Sequence, residues 1–202
     1  MKLLPHSFYT RPDVVMIARE LLGKIVVSTV DGERTSGIIV EAEAYCGMGD
    51  KASHASNGKR TARNEHMYRE GAHSYIYVCY GIHQMLNFVT NIKDVADGVL
   101  IRAIEPVEGI DVMCRRTSKL PTDTSITKGP GNVSKALGLT KHHSGTSLID
   151  DVIQVYDPGK KLIEEVVGIS KRIGVDYAGE DALLPWRFYV KGNSYVSGRP
   201  NK

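Results

Sequence analysis

Apolar residues recur along the chain at two spacings, and each spacing predicts a different kind of element. Five apolar residues fall at helical intervals on one face of a predicted helix that runs from a Thr10 cap to a stop at Gly23. Pro12 belongs to its first turn, and Asp13 takes the capping-box position. The residues of the apolar face are Val14, Ile17, Ala18, Leu21 and Leu22.

Alternating and β-branched runs predict strands joined by tight turns. A strand over residues 24–30 leads through the turn signal Asp31-Gly32 into a second strand that ends at Tyr45. Further strands follow, and Gly81 permits the bend between the first two of them. These predicted strands cover residues 74–80, 82–90, 99–104, 147–155, 161–175 and 186–190.

Helices are fewer than strands in this pattern. One is predicted from Pro106 through Arg116, and a short one follows Gly129. Hairpins are frequent, whereas the regular alternation of strand and helix that a parallel sheet requires is rare. The pattern therefore predicts a single α/β domain of the α+β kind over residues 1–202, built around a curved, mostly antiparallel sheet with a few flanking helices.

Composition limits the classes of protein that remain. Hydrophobic residues make up 42% of the 202 residues and the net charge is only +3, so a nucleic-acid partner would need a local basic patch. The three cysteines are far apart and form no C-x-x-C pair, which predicts neither a disulfide framework nor a metal site. No signal peptide or membrane-length apolar run is present, so we expect a cytoplasmic protein without a membrane partner.

Two carboxylates and a tyrosine share one face of the second strand. The period of two along a strand places Glu41, Glu43 and Tyr45 together. The glutamates could be solvated charges at a sheet edge, but a glutamate in a closed apolar pocket has a raised pKa and can act as a general base. Arg102, inside an apolar strand, is a natural partner for such a carboxylate, either in catalysis or in a structural ion pair.

Tyrosines cluster in the strand at residues 74–80. Tyr75 and Tyr77 share a face, whereas Tyr80 lies on the other face, beside Gly81 at the predicted hairpin tip. Aromatic residues favour strands in any case. An aromatic at a tip, however, can also enter a base stack as a wedge that replaces an extruded nucleotide.

A histidine and a basic loop precede these tyrosines. His54 stands among small residues, where it is either a hydrogen-bonded loop histidine or part of a site. Lys59, Arg60 and Arg63 could contact phosphates or form a solvated loop. No second histidine or cysteine lies at metal-ligand spacing, so we assign no metal.

In combination these motifs resemble the alkyladenine DNA glycosylases, also called 3-methyladenine DNA glycosylases, of the type shared by bacteria and animals. The resemblance covers most of the chain. The shared motifs are Glu-Ala-Tyr, a histidine nine residues beyond that tyrosine, R-T-x-R-N, Y-x-x-Y-G, I-R-A-x-E-P, G-P-G and R-I-G-V.

The resemblance implies a fold similar to the formyltransferase C-terminal domain and an enzyme of base-excision repair. Such an enzyme, a monomer without a cofactor, flips an alkylated or deaminated purine out of double-stranded DNA. It hydrolyses the N-glycosidic bond with an activated water and leaves an abasic site. By the family pattern Glu43 is the general base, and Arg102 and the backbone carbonyl of Ile173 help to hold the water. The residues that line the base pocket by the same pattern are Tyr45, His54, Tyr77 and, at its edge, Asn87.

The resemblance also implies contacts with DNA. Tyr80 is the wedge, and Lys59 and Thr61 meet the DNA backbone. Asn132 stands where the family usually has a phosphate-binding lysine, and Lys135 lies one helical turn further on. The alternative is a non-catalytic DNA-binding protein with the same wedge and basic loop. A zinc-dependent base deaminase would need the signature H-x-E followed by P-C-x-x-C, which this sequence does not contain.

Overall fold

A nine-stranded sheet forms the centre of the computed structural model, which describes residues 1–159 and 162–198. The strands are β1 (Lys2–Leu3), β2 (Ile25–Val30), β3 (Glu33–Tyr45), β4 (His73–Cys79), β5 (His83–Thr90), β6 (Asp97–Glu108), β7 (Ile153–Asp157), β8 (Val167–Ser170) and β9 (Arg187–Val190). Their order is β1-β7-β2-β3-β6-β5-β4, with β9 between β3 and β8. All of these pairings are antiparallel, and the sheet curls into a half-barrel, which confirms the predicted α+β class.

In the part of the chain that the structure describes, four α-helices flank the sheet: α1 (His6–Tyr9), α2 (Val14–Glu20), α3 (Ile110–Thr117) and α4 (Pro130–Ala136). The main core lies where α2 packs on β3 and β6 and where α4 packs on β5 and β6. The predicted apolar face of α2 is buried throughout, which confirms its helical period. Within the two described ranges, no helix has the length and apolar character needed to cross a membrane.

Two tight turns follow the sequence closely. Asp31 and Gly32 both have positive φ, as do Tyr80 and Gly81. Positive φ at both central residues is the mark of the hairpin turn whose twist matches that of its strands. A tyrosine at φ 50° is unusual, because only glycine and short polar residues visit this region readily. The β4–β5 turn therefore holds Tyr80 at its tip in a conformation that its side chain does not favour.

The start of α2 corrects one prediction. The helix begins at Val14 and is capped by Asp13, whose Oδ1 accepts a 2.8 Å hydrogen bond from the Met16 N–H. Thr10 is not the cap, since it lies before Pro12 and outside the helix. The aspartate is preferred because its short carboxylate satisfies a free N–H of the first turn.

The helix predicted from Pro106 is also wrong at its start. Pro106 lies inside β6, opposite Gly37, where the pairing of β3 with β6 shifts register. Such an irregularity tolerates a residue that has no N–H to donate. The helix begins only after Gly109, whose φ of 71° ends the strand and turns the chain into α3.

The strands predicted late in the chain are shorter than expected. The strand predicted over 147–155 is β7, Ile153–Asp157, and polar turns precede it. The strand predicted over 161–175 is β8, Val167–Ser170, and its predicted first residue, Lys161, lies outside the described residues. After β8 the chain leaves the sheet, and the side chain of Arg172 forms a buried ion pair with Asp50.

Candidate active site

The catalytic candidates lie at a distortion in the centre of the sheet. Glu41 pairs with Ala103 and Ala42 pairs with Ile101, so Arg102 is an extra residue on β6 at this point. Bulges of this kind redirect side chains and are common beside active sites. Arg102 thereby reaches both Glu41 and Glu43 on β3, and its Nε lies 3.0 Å from Glu41 Oε1.

Glu41 and Glu43 are both 0% exposed, so neither is a solvated charge at a sheet edge. Glu41 accepts four hydrogen bonds, three of them from two residues that sequence reasoning missed, Arg187 and Ser197. Arg187, like Arg102, interrupts an apolar strand, and that signal could have identified it. The donors are Arg102 Nε (3.0 Å), Arg187 Nε (2.7 Å), the Ser197 N–H (2.6 Å) and Ser197 Oγ (2.9 Å).

Glu43 accepts three hydrogen bonds. Arg102 Nη1 lies 3.2 Å and the Tyr45 hydroxyl 2.9 Å from Oε2, while the Ile173 N–H donates to Oε1 over 2.8 Å. A carboxylate has about four lone-pair positions. Oε1 of Glu43 accepts a single hydrogen bond among the described residues, so it keeps one acceptor position free. Glu41 accepts one hydrogen bond more than Glu43, and three of its four bonds fall on Oε1. Sequence reasoning placed Ile173 here through its carbonyl, and the structure places its N–H on the carboxylate.

Opposing effects set the protonation of Glu43. Burial raises the pKa of its carboxyl above that of an ordinary glutamate, while Arg102 and the hydrogen bonds from Ile173 and Tyr45 pull that pKa down. Burial and the nearby Glu43 raise the pKa of Tyr45 well above its usual range, so its hydroxyl remains a donor. A carboxylate with a raised pKa is suited to accept a proton at neutral pH.

A cavity of about 470 Å³ opens in front of this group. That is within the range of about 300–1,000 Å³ typical of small-ligand sites. Glu43 is in contact with three of the lining residues, Tyr45, Arg102 and Ile173, and is itself shielded from solvent. The residues predicted for the site that line this cavity are Tyr45, His54, Tyr77, Tyr80, Asn87, Arg102 and Ile173.

Aromatic rings form one wall. The ring centroids of His54 and Tyr77 are 4.4 Å apart, and those of Tyr75 and Tyr77 are 5.6 Å apart in a stacked arrangement. His54 Nδ1 and the Tyr75 hydroxyl are joined by a 2.8 Å hydrogen bond. Tyr75 was not predicted as a site residue, although it shares the strand face of Tyr77. Burial, with Arg63 and Lys59 nearby, lowers the pKa of His54, so its imidazole is neutral at physiological pH.

Asn87 is fixed at the edge of this wall. Its Nδ2 donates to the carbonyls of Tyr75 (3.2 Å) and Met85 (3.0 Å). These two bonds hold the Nδ2 end of the amide against the sheet, so the side chain has one orientation at the cavity.

Exposed apolar groups surround the mouth of the cavity. Tyr80 is 91% exposed at the tip of the β4–β5 turn, and Ile82 beside it is 73% exposed. Tyr177, which sequence reasoning missed, is 72% exposed and lines the cavity, with its hydroxyl 3.1 Å from the Ala52 carbonyl. A single exposed tyrosine carries little information, but three apolar groups at one cavity mouth suggest contact with a partner.

The cations of the basic loop differ in whether they form ion pairs. Lys59, Thr61 and Arg63 are exposed and line a second groove next to the cavity. Arg63 donates through Nη2 to the Val78 carbonyl over 3.4 Å, and the Thr61 hydroxyl donates to Asn64 Oδ1. Arg60 is committed elsewhere: it forms ion pairs with Glu65 and Asp94, and its guanidinium lies 4.5 Å from the ring centroid of Tyr68. The loop thus offers two cations for an anionic partner, and the third stabilises the loop itself.

The start of α4 reaches the same opening through Pro130, which lines the cavity. Asn132 donates through Nδ2 to the Lys128 carbonyl over 2.9 Å, and Lys135 is exposed in the last turn. Contact of either residue with DNA stays a prediction. As for metals, residues 1–159 and 162–198 contain no group of three His, Cys, Asp or Glu side chains able to hold an ion.

Comparison with known proteins gives one consistent result. The family model for methylpurine-DNA glycosylase matches residues 7–194. A protein of Chlamydia abortus is 46% identical over 189 residues, which cover 93% of this chain and 98% of the relative. A protein of Clostridium acetobutylicum is 44% identical over 204 residues, with 98% of each chain covered. One of Bacillus thuringiensis is 41% identical over 206 residues, with 96% of this chain and 98% of the relative covered. All three carry 3-methyladenine DNA glycosylase as a provisional name.

Proposed function

Since the chain belongs to the methylpurine-DNA glycosylase family, we propose that it flips alkylated and deaminated purines out of double-stranded DNA and hydrolyses their N-glycosidic bond. The observation that carries the proposal is Glu43, a buried carboxylate with one free acceptor position in contact with three residues of a ligand-sized cavity.

In the proposed reaction Glu43 accepts a proton from a water molecule. The water oxygen forms a bond to the sugar C1′ while the bond between C1′ and the purine nitrogen breaks. The purine leaves with that electron pair. Arg102 and the Ile173 N–H orient the carboxylate, and the hydroxyl of Tyr45 fixes its second oxygen. Proton transfer to a positioned side chain contributes about 10²–10⁴-fold to such a rate.

The aromatic wall supports a preference for alkylated purines. Alkylation at a ring nitrogen gives the purine a positive charge, and a cation over an electron-rich ring is attracted to its face. Tyr77 supplies such a face, and the lowered pKa of His54 keeps a second positive charge out of the cavity. An alkylated purine is also a good leaving group, so one general base suffices.

The cavity mouth supports recognition of duplex DNA. Tyr80 projects from a turn that holds it away from the protein, in the position of a wedge that fills the gap left by a flipped nucleotide. The exposed cations of the adjoining groove, Lys59 and Arg63, form no ion pair with any described residue and are available to phosphates.

The test is direct excision. The purified protein is incubated with duplexes that each carry one 7-methylguanine, hypoxanthine, ethenoadenine or undamaged purine, and with methylated DNA as a source of 3-methyladenine. We expect abasic sites that are cut only by added alkali. Because water and not an amine is the nucleophile, we also expect borohydride to trap no protein–DNA adduct. Binding of a lesion duplex without release of any base would favour the non-catalytic alternative.

A further inference from the structure

A second buried ion pair lies close to Glu43 and its hydrogen-bond donors. Neither of its two residues has a role in the reaction proposed above. Arg172 and Asp50 have fully buried side chains, and they meet through two hydrogen bonds of 2.5 Å and 2.9 Å. Burying two charges costs several kcal/mol per ion, and the cost is repaid only by good geometry and further hydrogen bonds. A pair of this kind at a cavity therefore calls for a role.

The pair joins three separate segments of the cavity wall. Arg172 Nη1 donates to the Ala44 carbonyl (3.0 Å) and Nη2 to the Asp181 carbonyl (3.1 Å). Asp50 accepts the N–H groups of Cys46 (3.2 Å) and Ala52 (2.9 Å). The end of β3, the loop that leads to His54 and the segment after β8 are thus tied to one salt bridge.

Two of the three donors to Glu43 depend on Arg172. Its guanidinium carbon lies 4.8 Å from the ring centroid of Tyr45 and 5.0 Å from that of Trp186, so it is held between the two rings. The hydroxyl of the same Tyr45 donates to Glu43 Oε2. The next residue along the chain, Ile173, donates its N–H to Glu43 Oε1.

We propose that Arg172, clamped by Asp50, is a positioning residue that sets the Tyr45 hydroxyl and the Ile173 N–H on the catalytic carboxylate. This inference rests on the proposed function of Glu43. Arg172 does not itself touch the cavity or Glu43 through a hydrogen bond among the described residues. Its influence passes through the two donors.

A lysine cannot replace Arg172 in this arrangement. The planar guanidinium makes paired hydrogen bonds and lies against aromatic rings, whereas an ammonium is a compact, strongly hydrated charge. Arg172→Lys therefore keeps the charge but releases the ring of Tyr45 and the backbone at Ile173. Besides Tyr45, the charged and titratable groups that face Glu43 are Glu41 on β3, Arg102 on β6 and Tyr77 on β4, and the substitution leaves these three in place.

Two measurements test the proposal. The first is the pH profile of single-turnover excision by Arg172→Lys. We expect a fall of about tenfold to a hundredfold at neutral pH, since small misplacements of reacting groups have effects of this size. We also expect the acid limb to move to higher pH, because the two hydrogen bonds that lower the pKa of Glu43 are weakened. Loss of stability alone does not move that limb.

The second measurement does not depend on activity. Amide hydrogen exchange at Ile173 should be at least tenfold faster in Arg172→Lys than in the parent, while exchange at Phe88, in the buried strand β5, should be unchanged. Trp186→Leu, which removes only one of the two rings against the guanidinium, should shift both measurements in the same direction by a smaller amount. Trp186→Leu takes the place of Arg172→Lys in both measurements if Arg172→Lys fails to fold.

Arg116→Lys is the matched control. Arg116 donates to the carbonyls of Ala136 and Val30 away from the cavity, so its loss should lower stability and leave the pH profile unchanged. The proposal is overturned if a folded Arg172→Lys or Trp186→Leu variant keeps both the parental acid limb and the parental exchange at Ile173. If the parent excises nothing, the proposed function of Glu43 fails instead, and exchange at Ile173 still decides whether Arg172 holds that N–H.

Discussion

The floor and the mouth of the cavity are built on opposite principles. At the floor, Glu41, Glu43, Arg102 and Arg187 are all less than 10% exposed, and each is held by several hydrogen bonds from strands of the sheet. At the mouth, Tyr80 is 91% exposed at the tip of the turn between β4 and β5. The difference implies a division of work, with chemistry at the rigid floor and recognition of the partner at the exposed mouth.

The two glutamates sharpen this comparison within the floor itself. Glu41 neutralises and holds Arg102 and Arg187, and neither Arg187 nor its other partner, Ser197, lines the cavity. Glu43 shares Arg102 with it, and all three of the residues that donate to Glu43 line the cavity. Removal of one partner from a buried charge pair typically costs about 3–5 kcal/mol, so the floor tolerates few changes. Substitutions at the floor should therefore alter rate or folding, and substitutions at the mouth should alter binding of DNA.

The largest expected effect is that of Glu43→Gln. The amide has the shape of the carboxylate but cannot take the proton of water, so single-turnover excision should fall by about 10²–10⁴-fold. Binding to lesion DNA should change little, because the side chain is shielded from solvent. Both quantities are measured on the same ethenoadenine duplex.

The matched control is Glu105→Gln, an equivalent change on the same sheet at a residue that accepts a hydrogen bond from Asn193. It should excise at the parental rate. A loss of less than threefold in Glu43→Gln would show that another group takes the proton.

A smaller effect is expected at the mouth from Tyr80→Ser. Stacking of an aromatic against a base is worth about 1–3 kcal/mol, so the flipped state should become about ten- to a hundredfold less populated. The fluorescence of an ethenoadenine within duplex DNA reports its unstacking directly. Stability should hardly change, because the side chain is exposed.

Leu120→Ser removes another exposed apolar group, on a loop outside the cavity, and should leave the fluorescence change at the parental level. If Tyr80→Ser flips the base as completely as the parent, Tyr80 is an ordinary turn residue and the comparison of floor with mouth loses its second half.

The smallest expected effect separates neighbouring cations of the basic loop. The ammonium of Lys59 forms no ion pair with any residue that the structure describes, whereas Arg60 is held by Glu65 and Asp94. Lys59→Ala should therefore reduce the slope of log K against log salt by about 0.9, the value for one lost phosphate contact. Arg60→Ala should leave that slope unchanged. Equal slopes for the parent and Lys59→Ala would remove Lys59 from the DNA contacts.

The local sequence pattern was sufficient to predict much of this structure. The Asp31-Gly32 turn, the alternation that brings Glu41, Glu43 and Tyr45 to one face, and the tip position of Tyr80 all depend on neighbours within a few residues. The periods of strand and turn are fixed by backbone geometry, so they can be predicted from the chain alone. Arg102 was predictable for a related reason, since a charge inside an apolar strand requires a partner.

Only the tertiary structure decided which distant groups complete the site. Arg187 and Ser197 reach Glu41 from 146 and 156 residues away, and Arg172 reaches Asp50 from 122 residues away. The start of α3 after Gly109 depended in the same way on the pairing of Pro106 with Gly37. Sequence spacing specifies the direction of a side chain along its own element, but its partner is chosen by how the elements pack. The sequence therefore determined what the carboxylates are and which face they occupy, and the folded sheet determined which of them is held by residues that line the cavity.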